Sequence, residues 1–91
     1  MLLVPSVLRT DSGGASRVEV TLGAQASLAD LFDAVAKTHP RLERRIRDEQ
    51  RQIRRYVNVY VDGEESRRLD GGATRLRDGS EVHVIPSVAG G

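Results

Sequence analysis

The residues with the clearest chemical potential stand at the end of the 91-residue chain, Pro86-Ser87-Val88-Ala89-Gly90-Gly91. A glycyl carboxylate is an unshielded acyl group. No Cβ crowds its carbonyl carbon, and Gly90 and Gly91 are slim enough for a narrow channel. Five residues beyond Pro86 reach about 17 Å when extended, at ~3.3–3.6 Å per residue. That is enough to carry the last carboxyl off a domain surface and into another protein's cleft. Small residues also gather at chain ends without chemical purpose. Taken alone, these residues leave open both an acyl-carrying tail and an inert end.

The rest of the chain offers no competing chemistry. It has no cysteine, hence no thiolate nucleophile, disulfide or thiolate metal site. His39 and His83 have no acid or cysteine at a useful spacing. His39 is read as a helix-end residue favoured by the dipole there, and His83 as a strand residue between valines. Gly71-Gly72 is not a phosphate loop, because the lysine and hydroxyl pair of that motif are missing. No catalytic residue and no metal ligand is assigned.

The tail needs a base, and the preceding residues supply one. Asp78-Gly79 is a turn signal, Val82 to Ile85 is a β-branched run long enough for one buried strand, and Pro86 ends the ladder for want of an N–H. Upstream, Tyr56 to Val61 alternates with Val57, Val59 and Val61 on one face, and Asp62-Gly63 turns the chain. Glu64 to Arg68 reads as a charged edge strand, and Leu69 and Leu76 as loop residues that plug the core. At the start, Leu2 to Leu8 reads as a strand in which Pro5 marks an edge or a bulge. Asp11-Ser12-Gly13-Gly14 is a turn, and Arg17 to Leu22 a second strand with Val18, Val20 and Leu22 on one face.

Between the hairpin and the later strands lies a helix. Ser27 is an N-cap with Asp30 in capping-box spacing, although aspartate is shorter than the usual glutamate. Leu28, Leu31, Phe32 and Val35 share a face, and Pro40 ends the helix near Thr38. Residues 41–55 hold seven arginines against Glu43, Asp48 and Glu49. Leu42, Ile46 and Ile53 permit a second, short helix there. The arginines are read as a solvated face with i,i+4 pairs such as Glu43–Arg47, with a basic docking patch as the alternative.

Composition bounds the answer. Ninety-one residues make one domain, too small for a deep active-site cleft of its own. A formal charge of +1 and only three aromatic residues give no case for nucleic acid. No apolar run approaches the ~20 residues that cross a bilayer, so the expectation is a cytoplasmic protein with no membrane partner.

The pattern Asp78-Gly79-x-Glu81-Val82-x-x-Ile85-Pro86-x-Val88-Ala89-Gly90-Gly91 resembles the C-terminus of the ubiquitin-like sulfur carriers, the MoaD/ThiS family. The tail is most similar to the CysO branch. Tyr56-Val57-Asn58-Val59-Tyr60-Val61-Asp62-Gly63 resembles that branch's third strand and turn, and Leu69-Asp70-Gly71-Gly72-Ala73-Thr74 its next loop. The resemblance implies an α+β, β-grasp (ubiquitin-like) fold: a mixed sheet with one main helix packed on one face. Residues 1–86 would form the domain and 87–91 a flexible Gly-Gly tail. The last strand would lie centrally, parallel to the first.

The resemblance also implies a function. The protein would be a sulfur-carrying co-substrate and not an enzyme. An E1-like, MoeB/ThiF-like enzyme would use ATP to adenylate Gly91, and a sulfur donor would convert the adenylate to a thiocarboxylate. Ser87, Val88, Ala89, Gly90 and Gly91 would enter partner active sites. Having no cysteine, the chain would hold its sulfur on the terminal carboxyl. The acceptor would be a pyridoxal-phosphate cysteine synthase, with a metallopeptidase releasing the product, or a thiazole-synthase-like or thiosugar synthase. No cofactor would be bound by the chain itself, and the free protein would be a monomer. The same tail would also serve a protein modifier joined to target lysines.

Overall fold

The computed structural model describes residues 1–86. Five strands form one mixed sheet: β1 Leu2–Leu3, β2 Arg17–Val18, β3 Val57–Val61, β4 Glu64–Glu65 and β5 Val82–Pro86. Their spatial order is β2-β1-β5-β3-β4. β5 is central, parallel to β1 and antiparallel to β3. Helix α1, Leu28–Thr38, supplies the crossover that this parallel pairing requires, and α2, Pro40–Ile46, follows it. The fold is the β-grasp arrangement, with a second helix beside the main one.

Strand alternation decides which face meets the helices. Val57, Val59 and Val61 of β3 and Val82 and Val84 of β5 are buried. They pack with Leu2, Val4, Leu8 and Val18 against Leu28, Leu31, Phe32 and Val35 of α1 and Leu42 and Ile46 of α2. Each such side chain, fully buried, is worth about 1.5–3 kcal/mol. The start of α1 is closed by both capping-box bonds. The Ser27 hydroxyl accepts from the Asp30 N–H at 3.3 Å, and the Asp30 carboxylate accepts from the Ser27 N–H at 2.9 Å. Aspartate is therefore long enough here.

Several local expectations need correction. The first strand stops at Leu3, because Pro5 opens a 3-10 helix, Ser6–Ser12, in place of further extended chain. That helix still delivers Leu8 to the core while leaving Val7 exposed. The second strand pairs only at Arg17 and Val18, since β1 is too short to offer partners beyond them. Val20 and Leu22 nonetheless pack on the core. The edge strand ends at Glu65, where Ser66–Arg68 turns as a 3-10 helix. Leu69 does not plug the core and is 38% exposed. Thr74 is buried in that loop instead, and its carbonyl accepts from the Leu28 N–H at 2.8 Å. Leu76 packs on the core as expected. The short second helix ends at Ile46, so Ile53 reaches the core from a loop.

The arginine run is not simply a solvated face. Arg47 is only 3% exposed. Its Nε donates to Glu43 Oε2 at 2.8 Å, its Nη2 donates to Asp33 Oδ1 at 2.8 Å, and its guanidinium lies 5.6 Å from the centre of the Phe32 ring. The Glu43–Arg47 pair exists at the expected spacing, but it is buried with Leu42 and Ile46. It therefore belongs to the interior and not to the weak surface pairs of a helix.

Candidate functional site

The point of chemical interest is where the domain hands the chain on, at Pro86. The expected tail residues Ser87, Val88, Ala89, Gly90 and Gly91 lie outside the described residues. What the fold specifies is the platform beneath them. β5 is flanked on both sides, and Val82 to Pro86 pair with Val57 to Val61 of β3 one for one. The Asp62 N–H donates to the Glu81 carbonyl at 2.9 Å. Antiparallel ladders alternate bonded and non-bonded pairs, so Val57 faces Pro86 at a non-bonded pair. Proline thus removes no bond from this ladder. On the other side, β1 pairs only with Val82 and His83 and does not extend to Pro86. A central strand can end in proline here because neither neighbour needs its N–H.

The other end of β5 is held by the turn between β3 and β4. Asp62 stands at φ 50° and Gly63 at φ 90°, the left-handed pair of a tight hairpin. From that position Asp62 Oδ2 accepts from the Ser80 hydroxyl at 2.9 Å and Oδ1 from the Glu81 N–H at 2.9 Å. Ser80 Oγ in turn accepts from the Arg77 N–H at 2.8 Å. One carboxylate thereby ties the β3–β4 turn to the chain entering β5.

A feature that sequence reasoning missed braces the exit. Arg67 follows the short β4, and β4 pairs only with Tyr60 and Val61. The remaining edge of β3 is covered by the Arg67 guanidinium. Nη2 donates to the carbonyls of Val57 at 2.9 Å, Arg54 at 3.0 Å and Arg55 at 3.4 Å. Nη1 donates to Asn58 Oδ1 at 3.1 Å and Glu65 Oε1 at 3.2 Å. A planar cation with five donors stands in for a missing strand. Nothing in the spacing of residues 54–67 signals it, because the partners are backbone carbonyls.

The sheet face away from the helices carries His83 and Ile85 of β5 and Asn58 and Tyr60 of β3, which alternate with the buried valines. Ile85 is 50% exposed, and Tyr56, just before β3, is 55% exposed. These two apolar side chains stand close to the exit and have no core role. His83 Nε2 lies 4.0 Å from Glu81 Oε1, and His39 Nδ1 is 2.9 Å from the Thr38 hydroxyl. His83 lies on β5 and His39 at the junction of α1 and α2. Gly71–Ala73 forms one 3-10 turn. Among the described residues no cluster of three or more histidine, cysteine or acidic side chains could hold a metal. No helix among them is long and apolar enough to cross a membrane.

Comparison with known proteins agrees with this geometry. Residues 2–91 match the model of the ThiS family. The chain is 36% identical over 93 residues to the sulfur carrier protein CysO of Mycobacterium tuberculosis, covering 97% of this chain and 94% of that one. It is 32% identical over 78 residues to small archaeal modifier protein 1 of Haloferax volcanii, covering 86% and 85%. Its fold superimposes on a chain of the Amycolatopsis orientalis BexX/CysO complex with a TM-score of 0.86, at 33% identity and with 99% and 97% covered.

Proposed function

The chain belongs to the ThiS family of ubiquitin-like sulfur carriers, and from that premise we propose that it carries sulfur as a thiocarboxylate on Gly91. The carboxylate attacks the α-phosphorus of ATP in an E1-like enzyme, pyrophosphate leaves, and an acyl adenylate forms. A sulfur donor then attacks the carbonyl carbon and AMP leaves. The sulfur now on Gly91 is a strong nucleophile delivered inside a closed acceptor site, where positioning replaces a chance encounter. Ser87, Val88, Ala89, Gly90 and Gly91 enter the partner clefts while the β-grasp body is gripped outside. The chain itself performs no chemistry and binds no cofactor.

The observation that supports this most is the pairing of a family match running to residue 91 with a braced central strand that ends at Pro86. A rigid base makes the reach of five residues a defined distance. The acceptor is an enzyme that builds a sulfur-containing metabolite. A pyridoxal-phosphate cysteine synthase, a thiazole-synthase-like enzyme and a thiosugar synthase are the candidate classes, and similarity over nearly the whole chain to a named sulfur carrier, CysO, supports the carriage of sulfur itself. Likeness to a chain of the BexX/CysO complex supports association with a partner protein. Likeness to a small archaeal modifier protein supports a second reading, in which Gly91 is joined to lysines of target proteins.

The test is intact-mass spectrometry after incubation with ATP, a ThiF- or MoeB-like activating enzyme and sulfide. One oxygen of the chain is exchanged for one sulfur, and deleting Gly91 abolishes the exchange without lowering the melting temperature. A Gly91-deleted protein that still gains sulfur refutes the proposal. A lysine-linked Gly-Gly remnant in digests of cell protein supports the modifier reading.

A further inference from the structure

The arginines between α2 and β3 are only partly engaged by the fold. Arg47 is buried on Glu43 and Asp33, while Arg51 and Arg45 each lie 3.7 Å from an acid, Asp33 and Asp11 respectively. Among the described residues, no carboxylate comes within 4.0 Å of Arg44, Arg54 or Arg55. Arg54 links the other two. Arg54 Nε donates to the Arg44 carbonyl at 2.9 Å, and Arg55 is next in the chain. The Arg67 guanidinium sits on the carbonyls of Arg54 and Arg55, with its own charge shared by Glu65. Asp48 and Glu49 border the same surface depression as Arg54. Asp48 Oδ1 already accepts the N–H groups of Gln50 and Gln52.

The position of this patch matters as much as its charge. Arg55 lies two residues before Val57, and Val57 faces Pro86. Arg55 therefore stands near the exit of the chain on its β3 side, and Arg54 extends the patch from there to Arg44 of α2. We propose that Arg44, Arg54 and Arg55 form a docking collar for an acidic rim around the cleft of the enzyme that activates Gly91. This rests on the carrier reading. Five residues reach no further than about 17 Å, so a cleft that draws Gly91 to reacting depth brings its mouth against the surface around Pro86.

An apolar mouth would strip water from three guanidinium groups and leave them unpaired, a costly exchange. A mouth lined with aspartate and glutamate matches them. Nucleotide phosphate is a poorer fit, because it binds where the carboxyl reacts, a tail's length from the collar. Charges at an interface rim act mainly on encounter, over a Debye length of about 8 Å at physiological salt.

The experiment is steady-state ATP–pyrophosphate exchange by the activating enzyme, with the full-length carrier as varied substrate at several salt concentrations. The double variant Arg44→Glu/Arg55→Glu alters two side chains with no hydrogen bond or ion pair of their own among the described residues. It raises KM for the carrier by about tenfold or more, leaves kcat within about twofold, and flattens the salt dependence of kcat/KM. Arg77→Glu, beside Met1 and Ser80 at the opposite end of β5, leaves KM within about twofold. A double variant with unchanged KM, or an equal effect from Arg77→Glu, overturns the collar. Absence of any exchange with the wild-type chain overturns the carrier reading itself, before any variant is compared. Matched melting curves exclude loss of fold as the cause.

Discussion

Arg67 donates through Nη2 to the Val57 carbonyl at 2.9 Å, and Val57 is the residue that faces Pro86 across the β3–β5 ladder. A side chain from the sheet's edge thus holds the residue beside the last described position of the central strand. The brace replaces strand pairing that β4, at two residues, is too short to supply.

Arg67→Ala is expected to destabilise the domain by about 0.5–1.5 kcal/mol, the net worth of a hydrogen bond whose freed acceptors can turn to water, since the Arg67 side chain is 43% exposed. Amide exchange at Tyr56, Val57 and Asn58 accelerates more than exchange in α1. Arg67→Lys restores little, because one ammonium cannot span carbonyls and side chains on two sides. Urea unfolding and hydrogen exchange measure both effects. Uniform acceleration across the chain would rule out a local brace.

Arg47→Ala is expected to cost about 3–5 kcal/mol, because Glu43 stays buried without its partner. Changing both members together, Arg47→Met with Glu43→Leu, costs much less than the single change. Chemical denaturation of the three proteins tests this. Equal losses for the single and double variants would show that packing on Phe32, and not charge, is what Arg47 contributes.

Asp62→Ala removes both acceptors that tie Ser80 and Glu81 to the hairpin. A loss of about 2 kcal/mol is expected, or a fall in Tm of roughly 8–16 °C at ~4–8 °C per kcal/mol for a domain of this size. Asp62→Asn loses less, since asparagine accepts through one oxygen and tolerates a positive φ. A thermal melt in which the two variants match would contradict this assignment.

Ser27→Ala removes one half of the capping box and is expected to cost about 1 kcal/mol. Ser27 pairs with Arg75 and caps α1 on elements away from Pro86. Sulfur loading at a temperature where the variant is folded should therefore equal wild type, as read by intact mass. A large loss would couple the helix start to the exit.

The fold was legible where one physical signal acted alone. Val57, Val59 and Val61 alternate cleanly, and Leu28, Leu31, Phe32 and Val35 share one helical face, so burial followed the pattern. It was misread where a short partner or a proline intervened. Leu2 to Leu8 has the composition of a strand, but Pro5 begins a 3-10 helix that brings Leu8 inward by another path. Leu69 is apolar, but the 3-10 turn at Ser66 leaves it outside and puts Thr74 in the interior.

By itself the sequence determined the cap and face of α1 and the strand that leads to Pro86, which follow from capping chemistry and local periodicity, while the β-grasp class and the interest of the glycyl carboxylate rest on the resemblance of its C-terminal pattern to a known family. Tertiary structure alone decided that Arg47 is interior, that Arg67 closes the edge of β3, and that the Arg54 side chain reaches the Arg44 carbonyl of α2. An arginine's role depends on which carbonyls and carboxylates its long side chain meets. Those partners, at separations of up to 14 residues, are brought within reach only when the chain is folded.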